Sequence, residues 1–116
     1  MHKVLIWRLN AEVLGQLRDG IQLCGWAVDA CDGMLEMLRR LEEEQYDVVV
    51  LSAGRVNVEL STALGAMRML ERKPRILVNI PETEDALPAA LVSLGCSIIR
   101  GRLTAGNVLE FAQATQ

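Results

Sequence analysis

Five short apolar runs rich in β-branched residues alternate along the chain with stretches whose apolar positions recur every three or four residues. The strand-like runs are Lys3–Trp7, Trp26–Ala30, Asp47–Leu51, Ile76–Ile80 and Ser97–Arg100, the third the clearest and the second the most polar. Apolar residues at nearly every position, rather than every other one, suit strands buried on both faces, the habit of parallel sheets. Helical spacing fills the intervals. Leu14, Leu17, Ile21 and Cys24 fall on one face of a first helix, with Asn10 as its N-cap and Gly25 as its stop. Asp32 can cap a second with Leu35, Leu38 and Leu41 inward, although Glu42, Glu43 and Glu44 crowd its negative dipole end. Leu60, Ala63, Leu64, Met67 and Leu70 mark a third helix after a loop around Gly54. Leu87, Ala90, Leu91 and Leu94 mark a fourth, in which Pro88 belongs to the first turn. The last begins near Thr104 and turns Val108, Leu109 and Ala112 inward. Strands alternating with helices form right-handed βαβ units, so the pattern predicts an α/β, three-layer, doubly wound sheet of five parallel strands.

Composition narrows the picture. A chain of 116 residues fits one domain, expected over 1–116, and is long enough to bury a core without staples. The aromatic set is only Trp7, Trp26, Tyr46 and Phe111, so the core is expected to be aliphatic, with Met34, Met37, Met67 and Met69 mostly as core fillers. A net charge of −3 and scattered Lys and Arg, with Arg72-Lys73 and Arg75 the only basic run, argue against nucleic acid as a partner. Cys24, Cys31 and Cys96 lack metal-ligand spacing and sit in apolar stretches, which reads as reduced core thiols in a cytoplasmic protein. The chain shows no targeting pattern and no apolar run near the ~20 residues a membrane span needs.

Several stretches together resemble the receiver domains of response regulators. Lys3–Trp7 is similar to their first strand, and Ala30-Cys31-Asp32-Gly33 to the turn that enters their second helix. Tyr46–Leu51 is similar to the strand leading to their phosphorylated aspartate, and Ala90-Leu91 followed by Gly95-Cys96 to the approach to their fifth strand. The resemblance spans the whole chain in order and spacing, and implies a flavodoxin-like sheet of order 2-1-3-4-5.

The chemistry departs from that pattern. Receivers hold Mg²⁺ with an acidic pair after the first strand, where this chain has Arg8 and Leu9. The phosphoacceptor aspartate aligns with Ser52, and the Thr or Ser ending strand four with Asn79. The lysine ending strand five aligns with Arg102, or with Arg100 if the loop is shorter. Mg²⁺ requires hard oxygen ligands, and an arginine beside a leucine repels the ion and offers it nothing. Ser52 has no visible neighbouring base, and the one histidine, His2, lies at the chain start, so a serine nucleophile is not expected. No catalytic residue, metal or cofactor is predicted.

Four arginines, Arg8, Arg55, Arg100 and Arg102, follow strand C-terminal ends, where open α/β sheets bind ligands. One reading is a pocket for a phosphate or nucleotide; the plainer one is separate solvated side chains, since no glycine-rich phosphate loop accompanies them. Asp29, Asp32, Glu82, Glu84 and Asp85 could form an acidic cluster, but a structural role is the plainer reading, with Asp32 as a helix cap and the last three at the N-terminus of the fourth helix. Trp7 reads as packing against a flanking helix or as a cover for the vacated site. The resemblance implies a signalling module that works without phosphorylation, by binding a protein in trans or a second copy of itself. Its expected interaction face includes Pro88, Leu91, Ile99, Arg100 and Val108. A small anionic-ligand sensor is the first alternative, and a flavodoxin-like enzyme a remote second.

Overall fold

A computed structural model describes residues 2–7, 11–52, 58–71, 74–80 and 96–113. Its elements run β1 (Lys3–Trp7), α1 (Ala11–Gln22), β2 (Ala27–Cys31), α2 (Met34–Glu43), β3 (Val48–Ser52), α3 (Val58–Arg68), β4 (Arg75–Ile80), β5 (Ser97–Arg100) and α4 (Ala105–Gln113). The strands form one parallel sheet of order β2-β1-β3-β4-β5, as the alternation and the resemblance require. The helix expected around Leu87–Leu94, with Pro88 and Leu91, lies outside the described residues, as do Asn10 and the Glu82, Glu84 and Asp85 group.

Side chains alternate across the strands, so the sheet carries an apolar layer on each face. On one face Leu5, Trp7, Val49, Leu51, Val78 and Ile80 pack under Met37 and Leu41 of α2 and Ala63, Leu64 and Met67 of α3. On the other, Val4, Ile6, Val48, Val50 and Leu77 pack under Leu17 and Ile21 of α1 and Val108 and Ala112 of α4. This double burial is why β1 and β3 read as continuous apolar runs.

Local chemistry sets the ends. Helix α1 stops where Cys24 and Gly25 donate back to the Ile21 and Gln22 carbonyls, and Gly25 takes φ +85°, a region costly for any side chain. That tightened turn shifts the helical phase, so Cys24 is exposed rather than in the core. Arg75 donates to the Ala112 carbonyl at 2.9 Å and lies 4.2 Å over the Phe111 ring, satisfying the C-terminal end of α4. Thr104 and Asn107 cap its N-terminus reciprocally, Asn107 N–H donating to Thr104 Oγ1 at 3.1 Å and Thr104 N–H to Asn107 Oδ1 at 3.2 Å.

Three expectations are corrected. The cap of α2 is Gly33, with no side-chain hydrogen bond, so Asp32 does not cap it. Its buried stripe is Met34, Met37, Leu38 and Leu41, which leaves Leu35 about 100° around the helix and 75% exposed. Met69 is no core filler; it follows the end of α3 and is 86% exposed.

Candidate functional site

In an open parallel sheet, ligand chemistry gathers at the C-terminal strand ends. The registers set these ends in rows: Trp7 lies between Cys31 and Leu51, Ser52 pairs with Asn79, Asn79 with Ile99, and Ile80 with Arg100. Ser52 and Asn79 thus come together on adjacent strands. Arg100 and Arg102 are exposed on either side of Gly101, while Arg8, Leu9 and Arg55 fall outside the described residues. The set of arginines weighed as an anion pocket is therefore represented here only by the β5 pair.

Asn79 has a definite role in the geometry. Its Nδ2 donates to the Ile99 carbonyl at 3.1 Å and to the Gly101 carbonyl at 2.8 Å. Gly101, at φ +82°, in turn donates its N–H to the Ile80 carbonyl at 2.9 Å. Three hydrogen bonds thereby tie the end of β4 to the exit of β5.

Trp7 is 2% exposed and packs against the α2 side of the sheet, as the packing alternative had it. Its indole Nε1–H donates to the Asp32 carbonyl at 2.9 Å, which satisfies the polar tip of a buried ring and fixes the turn into α2. Cys31 beside it is enclosed, and burial, with Glu36 adding to it, pushes its thiol up to about 11. A thiol held neutral in this way is a packing group rather than a nucleophile. Among the described residues, no group of three or more His, Cys, Asp or Glu is placed to hold a metal ion.

The β5–α4 face carries an open cleft of about 260 Å³, with Leu77, Ile98, Ile99 and Phe111 as its apolar lining and Ser97, Asn107 and Glu110 as its polar one. Of the interaction residues expected here, Ile99 lines this cleft and Arg100 is exposed beside it. Val108 does not reach the surface: it is fully buried under α4, because the 3.6-residue period turns it to the sheet while Asn107 and Glu110 face the cleft.

The opposite end of the sheet holds a polar group that sequence reasoning missed. The Tyr46 hydroxyl donates to Asp29 Oδ2 at 2.6 Å and also lies 3.0 Å from Glu44 Oε2. A phenol has one proton, and the shorter contact claims it. Glu44 is instead held by Lys3 Nζ at 2.8 Å, which lowers its carboxyl. Burial, then the bond to Asp29, raises the Tyr46 phenol. Arg40 Nη1, 4.0 Å from Asp29 Oδ2, balances the remaining charge. A cleft of about 350 Å³ lies near this end, lined by Leu41, Leu70 and the carboxylates of Glu42, Glu43, Glu44 and Glu71. It is remote from Ser52 and Asn79.

No family model and no curated protein matches this sequence. Solved structures do. A CheY-like response-regulator receiver domain from Methylobacillus flagellatus superposes with TM-score 0.82 at 12% identity, covering 100% of this chain and 99% of its own. The pseudo-receiver domain of the CikA protein superposes with TM-score 0.73 at 15% identity, covering 98% and 96%. A chain of the crystal structure of histidine kinase ThkA in complex with the response regulator protein TrrA gives TM-score 0.78 at 14% identity, covering 98% and 97%. These likenesses define the class of fold: a five-stranded, flavodoxin-like sheet of the CheY-like receiver type. At such identities they speak for the fold alone.

Proposed function

We propose that this chain is a receiver-like, non-enzymatic signalling domain that works without aspartyl phosphorylation, by binding a protein through its β5–α4 face. The observation that carries the reading is the pairing of Ser52 with Asn79 at the strand ends. Where receivers place a phosphoacceptor carboxylate, this chain has a serine, and the adjacent Asn79 amide is already committed to two β5 carbonyls. A serine hydroxyl without a base does not take a phosphoryl group from a small donor. With Arg8 and Leu9 in the acidic-pair positions, the Mg²⁺ such transfer needs has no carboxylates to hold it there.

A domain without that input still has a surface. The cleft beside Ile99 and Phe111 offers apolar area flanked by the polar side chains of Ser97, Asn107 and Glu110, the composition of a protein-docking patch. No helix among the described residues is long and apolar enough to cross a membrane. A second copy of the chain is the occupant to test first. Sedimentation velocity over a wide concentration range should show reversible association that acetyl phosphate with Mg²⁺ does not alter. Ser97→Arg, at an exposed position, should abolish it by filling the cleft. Association that persists in Ser97→Arg, or that appears only with the phosphate donor, would contradict the proposal.

A further inference from the structure

We infer that Asn79 is a positioning residue for the β5–α4 face: its amide latches β4 to the exit of β5, so the docking surface is preformed. The inference rests on the reading above that this face binds a protein. The argument begins with donor count. A primary amide offers two N–H groups from one nitrogen; a hydroxyl offers one and a carboxylate none. Asn79 uses both, reaching the carbonyls of Ile99 and Gly101 on either side of Arg100. Asn79 thereby holds the peptide that enters Arg100 and the one that leaves Gly101, while the Gly101 N–H on the Ile80 carbonyl holds the peptide between them, so the backbone on both sides of Arg100 is fixed.

The constraint continues along the chain. The Gly101 N–H closes the turn on the Ile80 carbonyl, and its φ of +82° suits glycine alone among common residues. Two residues on, Leu103 is buried against the α1–α4 side of the sheet. Thr104 then caps α4 with Asn107, which itself lines the cleft. Strand exit, apolar anchor and helix cap follow one another within four residues, 101–104, and Asn79 fixes the first of them. A surface held in this way binds without first being ordered, which is what preorganisation contributes to affinity.

Backbone amide exchange measured by NMR on the full chain tests this. In Asn79→Ala the Gly101 amide, which donates to the Ile80 carbonyl, should exchange about tenfold faster than in the parent, as expected for losing two ordinary hydrogen bonds from a local opening. Asn79→Ser, which keeps one donor, should fall between. Val49 and Val50 of the central strand report global opening and should keep their exchange rates. Unchanged Gly101 exchange, or an equal acceleration at Val49 and Val50, overturns the latch. Sedimentation velocity of the same proteins completes the test. Weaker self-association in Asn79→Ala supports the inference. Association as strong as the parent's, despite a loosened turn, overturns it and leaves the docking reading standing. A parent chain that is monomeric throughout fails the docking reading, and with it the role given to the latch.

Discussion

Replacing Gly20 by alanine sets two opposed effects against each other within one helix. Gly20 lies in α1, and a Cβ built there meets the Ala105 Cβ of α4 at 2.5 Å, closer than real Cβ atoms approach. Ala105 has no rotamer with which to retreat, so α1 and the first turn of α4 must separate by more than 1 Å or so to restore ordinary contact. Overpacking of this kind costs about 1–3 kcal/mol. Against it stands the helix propensity of alanine over glycine, about 1 kcal/mol in favour. The net expectation for Gly20→Ala is a loss of about 0–2 kcal/mol. Gly15 in the same helix supplies the control, because a Cβ there meets nothing within 4 Å. Gly15→Ala should gain about 0.5–1 kcal/mol. Urea unfolding followed by circular dichroism measures both, with stability taken from the midpoint at constant slope. Should Gly20→Ala prove as stabilising as Gly15→Ala, the close packing of α1 on α4 described above is wrong.

Tyr46→Phe removes one hydroxyl and leaves Asp29 without its 2.6 Å donor, and should cost about 1–2 kcal/mol in the same unfolding assay. The alkaline limb of stability has a defined sign. Cys31 and Tyr46 both titrate above their ordinary values of 9.0 and 10.0, so their contribution is complete below those values and is lost as pH rises through the folded ones. The melting temperature should hold to about pH 9 and then fall, less steeply in Cys31→Ala; a profile that stays flat between pH 9 and pH 11 would contradict this. An aromatic disulfide reagent should label exposed Cys24 at once, half-buried Cys96 slowly and Cys31 only on unfolding, with fast labelling of Cys31 the contrary result.

The fold was legible because β1 and β3 each carry four consecutive apolar residues, Val4–Trp7 and Val48–Leu51, a pattern that suits a strand covered on both faces. Helix faces were legible to within a turn of phase. Leu35 and Cys24 were misplaced because the i, i+3 series they extend belongs to a neighbouring stripe in α2 and stops short of the turn in α1. The Tyr46 group was invisible for a different reason: its partner Asp29 is 17 residues away and sits on an edge strand, so only the sheet brings them together. Asn79 was found by its position and not by its action. Its two acceptors are main-chain carbonyls, which no residue pattern announces and which depend on the β4–β5 register. Val108 shows the converse, since the helical period that places it inward was plain in the sequence and argues against its use in docking.

Phosphoryl transfer decides whether this receiver fold has lost the chemistry of its class. The chain is incubated with acetyl phosphate and Mg²⁺, and both its intact mass and the amide spectrum around Ser52, Asn79 and Gly101 are recorded. The account predicts an unmodified mass and an unchanged spectrum. A covalent phosphoryl adduct, with shifts spreading from β3 to the β5–α4 face, would contradict it.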